Sequence, residues 1–477
     1  MNNLPKSVHV VGICGVATSA LAIAFKNAGV KVTGSDKGFF PPVSTELKSA
    51  GIDFHAGWHP EYFDKNDLPE IFIVGTASGS QNPETIFAKE NNIPCYSFAE
   101  AIGIYFSKEN CICVVGNWGK TSSSALLSYI LEYALFNPTY MFGGISLSHN
   151  SSAKISESNW SVFEGDEYKS SPTDTKAKFF YYKPSHLLMT GISWDHADLY
   201  PTEESYLNAF QKLILELRPN GFIVANNDDK NIKKILEQYS GKTITYGKDK
   251  EAQIYFDNLV ETRDGLKFNI YNRDSKEIYS ITSKLLGSFQ AENITGCFAM
   301  ALNLGIDPNQ IIKAISEFKG MKRRLEKRYT GGITVYDDIA HSPDKARSLL
   351  RELRHIYKGN ILVVFEPNIG SRSVEILSKY DHAFSDANEI IIPRLTKLKL
   401  SSDETKSKPI DGETLTEIIR KTKQNCSYIE DDNTLINTLK KFAQTNKDND
   451  SIIVFMGSHG FRDMIEETVT FLHQQSL

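Results

Sequence analysis

The sequence predicts an α/β fold of three consecutive domains, at residues 1–107, 108–321 and 322–477. Short apolar runs alternate with amphipathic helical patterns along most of the chain, which is typical of βαβ units and parallel sheets. This series starts again near residues 108 and 322. The length of 477 residues also requires several domains, because single hydrophobic cores stop growing at roughly 250–300 residues.

The composition is that of an ordinary globular protein, with 41% hydrophobic and 23% charged residues. The net charge of -5 gives no basic surface for nucleic acid, so small molecules or proteins are the expected partners. No apolar run approaches the roughly 20 residues of a membrane span, so no membrane insertion is expected. The six cysteines lack C-x-x-C spacing and the N-terminus lacks a signal-peptide pattern, which together predict a cytoplasmic protein.

The first domain begins with a strand pattern, a glycine-rich turn and a helical pattern. The turn has the spacing Gly12-x-x-Gly15-x-x-Thr18, which departs from the G-x-G-x-x-G fingerprint of dinucleotide-binding domains. It still places a helix N-terminus where a pyrophosphate could bind. We therefore predict a Rossmann-like domain and find little support for a nicotinamide oxidoreductase.

The second domain begins with the motif CICVVGNWGKTSSSALL, in which a strand pattern runs through a glycine-rich loop into a helix. The loop residues are Gly116, Asn117, Trp118, Gly119, Lys120, Thr121 and Ser122. Backbone N–H groups at a helix N-terminus bind phosphate oxygens, while the lysine adds a charge and the threonine hydroxyl can ligate magnesium. The alternative, a glycine turn beside a surface lysine, explains only the glycines. We predict a central domain like a P-loop ATPase, with a small antiparallel sheet in residues 251–285.

Acidic residues and a histidine follow two further strands of this domain. Glu164, Asp166 and Glu167 come after one strand, and Asp195, His196 and Asp198 come after another. The carboxyl ends of parallel strands form the ligand-binding edge of a sheet, and magnesium that carries nucleotide phosphates needs one or two carboxylates. A solvated acidic loop and a structural histidine are the alternatives.

The third domain starts with the basic stretch MKRRLE and continues with VYDDIAHSP. Arg323 and Arg324 could neutralise a transferring phosphoryl group, because that reaction depends on positioning and charge stabilisation. Asp338 and His341 lie at a predicted strand end, where they could contact a ribose or base. A basic linker is the alternative for the two arginines.

The ordered set of motifs GNWGKTS, EGDE, DHAD, GSFQAEN, RRLE and DDIAHSP resembles the Mur ligase family over essentially the whole chain. The resemblance implies an ATP- and Mg²⁺-dependent ligase of peptidoglycan assembly, with a Rossmann-like C-terminal domain. It implies that the carboxylate of UDP-N-acetylmuramate is activated as an acyl phosphate and then attacked by the acceptor amine. The muramate branch of the family is the most similar.

The resemblance also implies roles for individual residues. The UDP-sugar is expected at Gly12, Cys14, Gly15, Ser35 and Asp36. ATP is expected at residues 116–122 and at Asn293, Arg324, Asp338 and His341. Magnesium ligands are expected at Thr121, Glu164 and His196, and catalysis at Lys120, Glu164, His196 and Arg324. Arg372 is expected at the acceptor, although a surface arginine is nearly as plausible there.

Several positions depart from the family pattern, namely Asn117, Trp118, Gly191, Phe289 and Gln290. Phe210 also stands where several sister ligases have a lysine, which agrees with the muramate branch. The predicted acceptor is the peptide L-alanyl-γ-D-glutamyl-meso-diaminopimelate, in peptidoglycan recycling. Free L-alanine, in de novo synthesis, is the alternative acceptor. A catalytically impaired regulatory protein that binds the UDP-sugar is an alternative of another class.

Overall fold

The computed structural model of the chain describes residues 4–39, 43–76, 79, 81–171, 173–396 and 409–475. Contacts between residues divide the chain into two compact units. The first comprises Met1–Val260, Lys267–Lys284 and Phe289–Lys319, and the second comprises Glu261–Leu266, Leu285–Ser288 and Gly320–Leu477. The first unit holds two large sheets and the second holds one. The exact domain boundaries stay a prediction.

The N-terminal sheet is parallel throughout, in the order β3-β2-β1-β4-β5. Its strands are β1 (Ser7–Val11), β2 (Lys31–Asp36), β3 (Asp53–Ala56), β4 (Ile71–Val74) and β5 (Cys95–Ser97). Its helices are α1 (Val16–Asn27), α2 (Val43–Ser49), α3 (Pro83–Glu90) and α4 (Phe98–Ala101), the last continuing into a π-helical turn, Ile102–Phe106. The order confirms the predicted Rossmann-like arrangement, since the connections leave β1 in opposite directions.

The central sheet has ten strands in the order β17-β16-β15-β14-β13-β12-β6-β9-β7-β8. The strands are β6 (Asn110–Val115), β7 (Thr139–Met141), β8 (Ala153–Lys154), β9 (Trp160–Gly165), β12 (His186–Met189), β13 (Ile223–Asn226), β14 (Thr243–Gly247), β15 (Ile254–Thr262), β16 (Gly265–Asn272) and β17 (Ile278–Ser283); β10 (Lys169–Ser171) and β11 (Asp174–Ala177) form a separate hairpin. The helices are α5 (Lys120–Tyr133), α6 (Phe179–Tyr182), α7 (Glu203–Leu215), α8 (Lys230–Leu236), α9 (Phe289–Asn303) and α10 (Pro308–Glu317).

The predicted antiparallel meander is the edge of this sheet and not a sheet of its own. β15, β16 and β17 are neighbours in chain order, and the two-residue connection between β15 and β16 forms a hairpin. β15 joins the main sheet by parallel pairing with β14. The three strands therefore extend the central sheet sideways.

β6 lies at the centre of the central sheet, where it pairs in parallel with β9 on one side and β12 on the other. Every residue from Cys111 to Val115 is buried, which explains the continuous apolar run in the sequence. The loops after β6, β9 and β12 consequently meet at one edge of the sheet. This edge is the expected ligand-binding position in a doubly wound fold.

The sheet of the second unit has the order β18-β19-β23-β20-β21-β22. Its strands are β18 (Glu326–Thr330), β19 (Thr334–Asp338), β20 (Ile361–Glu366), β21 (Glu389–Pro393), β22 (Cys426–Ile429) and β23 (Ile452–Gly457), and its helices are α11 (Pro343–Ile356), α12 (Gly412–Arg420), α13 (Asp432–Thr445) and α14 (Met464–Gln475). Only β18 is antiparallel to its neighbour among these described strands. In the described part of the chain, every helix is too short or too polar to cross a membrane.

Candidate active site

The glycine-rich loop joins the end of β6 to the start of α5 and requires glycine at two positions. Gly116 has φ of 132° and Gly119 has φ of 71°, a conformation that other residues adopt rarely. A Cβ atom on Gly116 would clash with Thr190, and one on Gly119 would clash with the amide oxygen of Asn293. The loop thus passes close to two neighbouring segments and leads into the N-terminus of a 14-residue helix, which favours anion binding.

Asn117 anchors this loop to the segment that follows β12. Its backbone N–H donates to the Gly191 carbonyl at 2.7 Å, and its Oδ1 accepts the Ser193 N–H at 2.6 Å. Its Nδ2 donates to the Tyr206 hydroxyl at 2.8 Å. The amide group supplies a donor and an acceptor at once, so one side chain ties the loop to two other segments. The sequence alone did not reveal its partner Tyr206.

Lys120, the first residue of α5, forms an ion pair with Glu167. The Nζ–Oε2 distance is 2.5 Å, and the side chains are 13% and 2% exposed. The Tyr200 hydroxyl donates to the Glu167 carbonyl oxygen at 2.7 Å and holds that segment in place. Glu167 thus neutralises Lys120 in the free protein, where the oxygens of a bound phosphate would compete for the same ammonium. The sequence placed Glu167 at the sheet edge but did not pair it with Lys120.

Two of the three predicted magnesium ligands are in direct contact. The Thr121 hydroxyl donates to Glu164 Oε1 at 2.8 Å, and the Gly143 N–H donates to Glu164 Oε2 at 2.5 Å. Burial raises the pKa of the Glu164 carboxyl above its ordinary value. A hydroxyl and a carboxylate side by side suit a magnesium ion that also binds phosphate oxygens. Among the described residues, His, Cys, Asp and Glu form no cluster of three able to hold a metal ion by themselves.

His196, the third predicted ligand, lies on the other side of Glu167. Its Nε2 is 3.7 Å from Glu167 Oε1, and its ring centroid is 4.8 Å from that of Tyr168. The Tyr168 hydroxyl in turn donates to Asp198 Oδ2 at 2.8 Å. Lys120, Glu167 and His196 therefore form one network, as expected from strands that end at a shared edge.

Asn293, in the first turns of α9, borders the loop as the sequence predicted. Its amide oxygen lies against Gly119, and its Nδ2 donates to Gln290 Oε1 at 3.2 Å. Gln290 is buried, whereas Phe289 is 49% exposed. A further polar pair lies near the same helix start and escaped sequence analysis, because Asn226 Nδ2 donates to Glu292 Oε1 at 2.5 Å. Burial, with the nearby Asp228, raises the pKa of Glu292 to about 7.

The N-terminal turn is held by the end of β2. The backbone N–H groups of Gly12 and Ile13 donate to the Ser35 carbonyl at 2.8 and 3.0 Å. The Cys14 N–H donates to Asp36 Oδ2 at 2.8 Å, and α1 begins one residue after Gly15. The Ser35 side chain, however, is fully buried and its hydroxyl donates to Glu84. That hydroxyl therefore belongs to the core, and the predicted role of Ser35 at the UDP-sugar stays a prediction.

Glu84 on α3 is a buried carboxylate at the centre of a polar network. It is 0% exposed, and it accepts the His59 N–H at 2.8 Å and lies 2.8 Å from His55 Nε2 and 3.3 Å from His9 Nε2. Burial alone favours the neutral acid, but the hydrogen bonds outweigh it and lower the pKa of Glu84 to about 2. Burial lowers the pKa of His9, so a neutral imidazole faces the carboxylate.

We expect this carboxylate to stabilise the fold by about 3 kcal/mol above pH 5. The folded-state pKa of Glu84 lies below its unfolded value, so the contribution is lost as the pH falls through the acid range toward 2. Urea unfolding between pH 3 and 7 checks this. Glu84→Gln should flatten the acid limb, while Glu90→Gln, on the exposed end of the same helix, should keep it. An unchanged acid limb in Glu84→Gln would contradict the assignment.

The two arginines of the third domain differ in their surroundings. Arg323 donates through Nη2 to the carbonyls of Gly457 and His459 at 2.5 and 2.8 Å, and its Nε is 3.3 Å from Asp337 Oδ1. Arg324 is exposed and, within the described residues, makes no hydrogen bond or ion pair. The structure therefore gives Arg323 a structural role and leaves Arg324 available to a ligand.

Asp338 and His341 lie together at the end of β19, as predicted. Asp338 accepts the N–H groups of Leu325 and Ala340, both at 2.7 Å, and burial raises its pKa. His341 Nδ1 donates to the Ile339 carbonyl at 2.6 Å, which leaves Nε2 as the second ring nitrogen for a ligand. Burial lowers the pKa of His341, which favours the neutral ring.

Arg372, predicted at the acceptor, is 9% exposed and bonded to the main chain. Its Nε donates to the Ile410 carbonyl at 3.1 Å and its Nη1 to the Thr396 carbonyl at 3.3 Å. The Glu366 side chain is also buried, at the end of β20, and its Oε1 accepts the Thr396 N–H at 2.9 Å. Both residues shape the carboxyl edge of this sheet, and the acceptor role of Arg372 stays a prediction.

The parallel sheets and the phosphate loop at a sheet edge define an α/β protein that handles a nucleotide. Three family models cover the chain in succession: Mur ligase family, catalytic domain, at residues 7–109; Mur ligase middle domain at 114–301; and Mur ligase, glutamate ligase domain, at 323–459. The chain belongs to the Mur ligase family. It is an ATP-dependent ligase that forms amide bonds, as the family does.

Curated relatives align over most of the chain. A UDP-N-acetylmuramate–L-alanine ligase of Caldicellulosiruptor saccharolyticus is 32% identical over 88% of this chain and 90% of its own length. A ligase of the same name from Bartonella tribocorum is 28% identical, over 94% and 93%. These alignments extend through all three predicted domains.

Solved structures share the fold. The UDP-N-acetylmuramate–alanine ligase of Thermotoga maritima has a TM-score of 0.77 and 20% identity, over 99% of this chain and 100% of its own. The murein peptide ligase of Psychrobacter arcticus has a TM-score of 0.65 and 21% identity, over 98% of both chains. At these identities the likeness shows the fold alone, and it confirms the predicted three-domain architecture.

Proposed function

We propose that the protein joins the carboxylate of UDP-N-acetylmuramate to L-alanine, with ATP converted to ADP and phosphate. The observation that carries the proposal is the Lys120–Glu167 pair beside the Thr121–Glu164 pair at the start of α5. This arrangement suits MgATP, and it lies in a chain whose curated relatives bear the name of the L-alanine ligase. The predicted peptide acceptor is the second candidate.

MgATP supplies the phosphoryl group that activates the muramate carboxylate. Lys120 holds phosphate oxygens and offsets the repulsion between an attacking carboxylate and a polyanion. Thr121, Glu164 and His196 provide the protein ligands for magnesium. Arg324 supplies a further cation to the transferring group.

The acceptor amine then attacks the acyl phosphate. The new C–N bond forms and the C–O bond to phosphate breaks, so that phosphate leaves with the bonding electrons while the proton of the amine passes to solvent. His341, a neutral imidazole with a free second nitrogen, and Asp338 belong to the nucleotide-contacting set of the third domain in this proposal. An acyl phosphate must also be shielded from water.

The UDP-sugar is assigned to the N-terminal turn. The N-terminus of α1 faces the diphosphate at Gly12 to Gly15 and favours its negative charge. Asp36 fixes the turn through the Cys14 N–H. Because the Ser35 hydroxyl and the N–H groups of residues 12–14 are already bonded within the protein, the first N–H groups of α1 carry this contact.

The peptide acceptor remains a second candidate for one reason. The stretches HVVGICGVATSALA and VTGSDKGFFPPVSTELKSAGI, together with KRRLE and ITVYDDIAHSP at the start of the third domain, resemble the peptide-adding enzymes of the muramate branch. Residues 40–42, in the second of these stretches, lie outside the described residues.

The test is ADP release in the presence of UDP-N-acetylmuramate and one acceptor at a time. We expect L-alanine to support turnover, and in a competition with L-alanyl-γ-D-glutamyl-meso-diaminopimelate we expect L-alanine to be consumed first. Preferential use of the peptide would overturn the proposed acceptor and support the second candidate. Binding of UDP-N-acetylmuramate by calorimetry without ADP release for any acceptor would identify a regulatory protein.

A further inference from the structure

Three of the four most exposed aromatic side chains in the described part of the chain belong to segments that meet at the phosphate loop. Trp118 is 64% exposed, Trp194 is 46% exposed and Phe289 is 49% exposed. Trp194 follows Ser193, whose N–H is bonded to Asn117, and Phe289 lies one helical turn before Asn293, which contacts Gly119. The fourth, Tyr62, lies in the N-terminal domain. Solvent-exposed rings gathered around a binding loop suggest a ligand that covers them.

The backbone that carries the exposed Trp118 ring is held in place. The Trp118 carbonyl accepts the Thr190 hydroxyl at 2.5 Å, and its neighbours Asn117 and Gly119 are fixed by their own bonds and contacts. A ligand that packs on the ring therefore does not have to order the loop as well.

Two of the departures from the family pattern, Trp118 and Gly191, are neighbours in space. A Cβ atom built on Gly191 would be 3.8 Å from Trp118 Cδ1 and 3.6 Å from Asp229 Oδ2, which are ordinary van der Waals distances. The indole therefore borders the segment that follows β12.

Two further departures, Phe289 and Gln290, leave few polar side-chain groups at the start of α9 that could hydrogen-bond the edge of a nucleobase. Phe289 has no polar side-chain atom, and Gln290 is buried with its Oε1 bonded to Asn293. An aromatic face, by contrast, can stack on any nucleobase, because every base has a π-face.

We propose that Trp118 stacks on the base of the nucleotide whose phosphates the loop binds, so that the enzyme recognises the face of the base more than its edge. The inference rests on the proposed nucleotide site at Lys120. Stacking of this kind lets the ligase accept nucleotides with different bases, so that adenine and guanine nucleotides are alternative substrates. Trp118 is then a specificity-determining residue at a position where the family has a smaller or polar one.

Calorimetry with magnesium and three probes tests the proposal: ADP, GDP and pyrophosphate, which carries two phosphates but no base. We expect ADP and GDP to bind within about threefold of each other and about tenfold more tightly than pyrophosphate. Trp118→Ala should weaken both nucleotides about tenfold and leave pyrophosphate unchanged, while Trp118→Phe should restore most of the affinity. Tyr62→Ala, an equally exposed aromatic outside the site, is the matched control and should bind all three probes as the wild type does.

The outcomes separate this inference from the proposed function. Undiminished ADP binding by Trp118→Ala, or a strong preference for ADP over GDP, would overturn the stacking role while leaving the nucleotide site intact. If Lys120→Ala bound ADP and pyrophosphate as tightly as the wild type, the nucleotide site itself would be wrongly placed, and the stacking role would fail with it. Because the Trp118 ring is exposed, thermal unfolding of its variants should match the wild type.

Discussion

Lys120→Ala is expected to lower kcat for ADP release by about 10²–10³-fold, the effect typical of removing one preorganised electrostatic contact at a reacting centre. Lys120 starts α5 and is the cation within the phosphate loop itself. Without it, a muramate carboxylate has to approach the γ-phosphate with its charge uncompensated at that point. Steady-state ADP release with UDP-N-acetylmuramate and L-alanine measures the loss.

The same substitution affects folding, so a second variant is needed to separate the two effects. Glu167 is 2% exposed, and removing the partner of a buried charge costs roughly 3–5 kcal/mol. Lys120→Ala/Glu167→Gln removes both charges and should recover most of the stability without recovering activity. Lys178→Ala is the matched control, because Lys178 is 16% exposed and pairs with Asp166 in the same segment; it should retain most of the activity. Wild-type turnover in folded Lys120→Ala would contradict the role of the lysine.

The sequence identified the elements of the fold because their patterns are local. The apolar run at β6, the glycines and the helical pattern of α5 follow one another within residues 110–133, and each has a physical meaning without its neighbours. Because the strands before Glu164 and His196 are parallel to β6, these two residues lie at the same edge of the sheet as the loop. The main part of the candidate site could therefore be predicted before any contact was known.

The partners within the site depend on contacts between distant residues. Asn117 and Tyr206 are 89 positions apart, and Lys120 and Glu167 are 47 positions apart. No local pattern favours Glu167 over Glu164 as the partner of the lysine; the choice depends on how β9 and α5 pack together. The burial of the Ser35 hydroxyl escaped sequence analysis for the same reason, since Glu84, which accepts that hydroxyl, lies on α3, 49 positions away.

Arg323 and Arg324 show a further limit, since adjacent residues of one type carry no distinguishing pattern. Arg323 has φ of 56°, in the left-handed region that residues with side chains adopt rarely. This turn directs its guanidinium to the carbonyls after β23. Backbone conformation, and not composition, determines which arginine is structural.

We expect Arg324→Ala to lower kcat by about 10²–10³-fold with little change in stability, because a cation that stabilises transition-state charge is lost and no hydrogen bond or ion pair among the described residues is broken. Arg323→Ala should instead lower the stability of the fold and change kcat little. It removes bonds to three carbonyls and one partner of Asp337, which is 2% exposed, and should reduce the free energy of unfolding by about 2–4 kcal/mol. Urea unfolding and ADP release, measured on both variants, separate the two residues. Full activity in Arg324→Ala would contradict the role of this arginine at the transferring group. Unchanged stability in Arg323→Ala would contradict the structural role of Arg323.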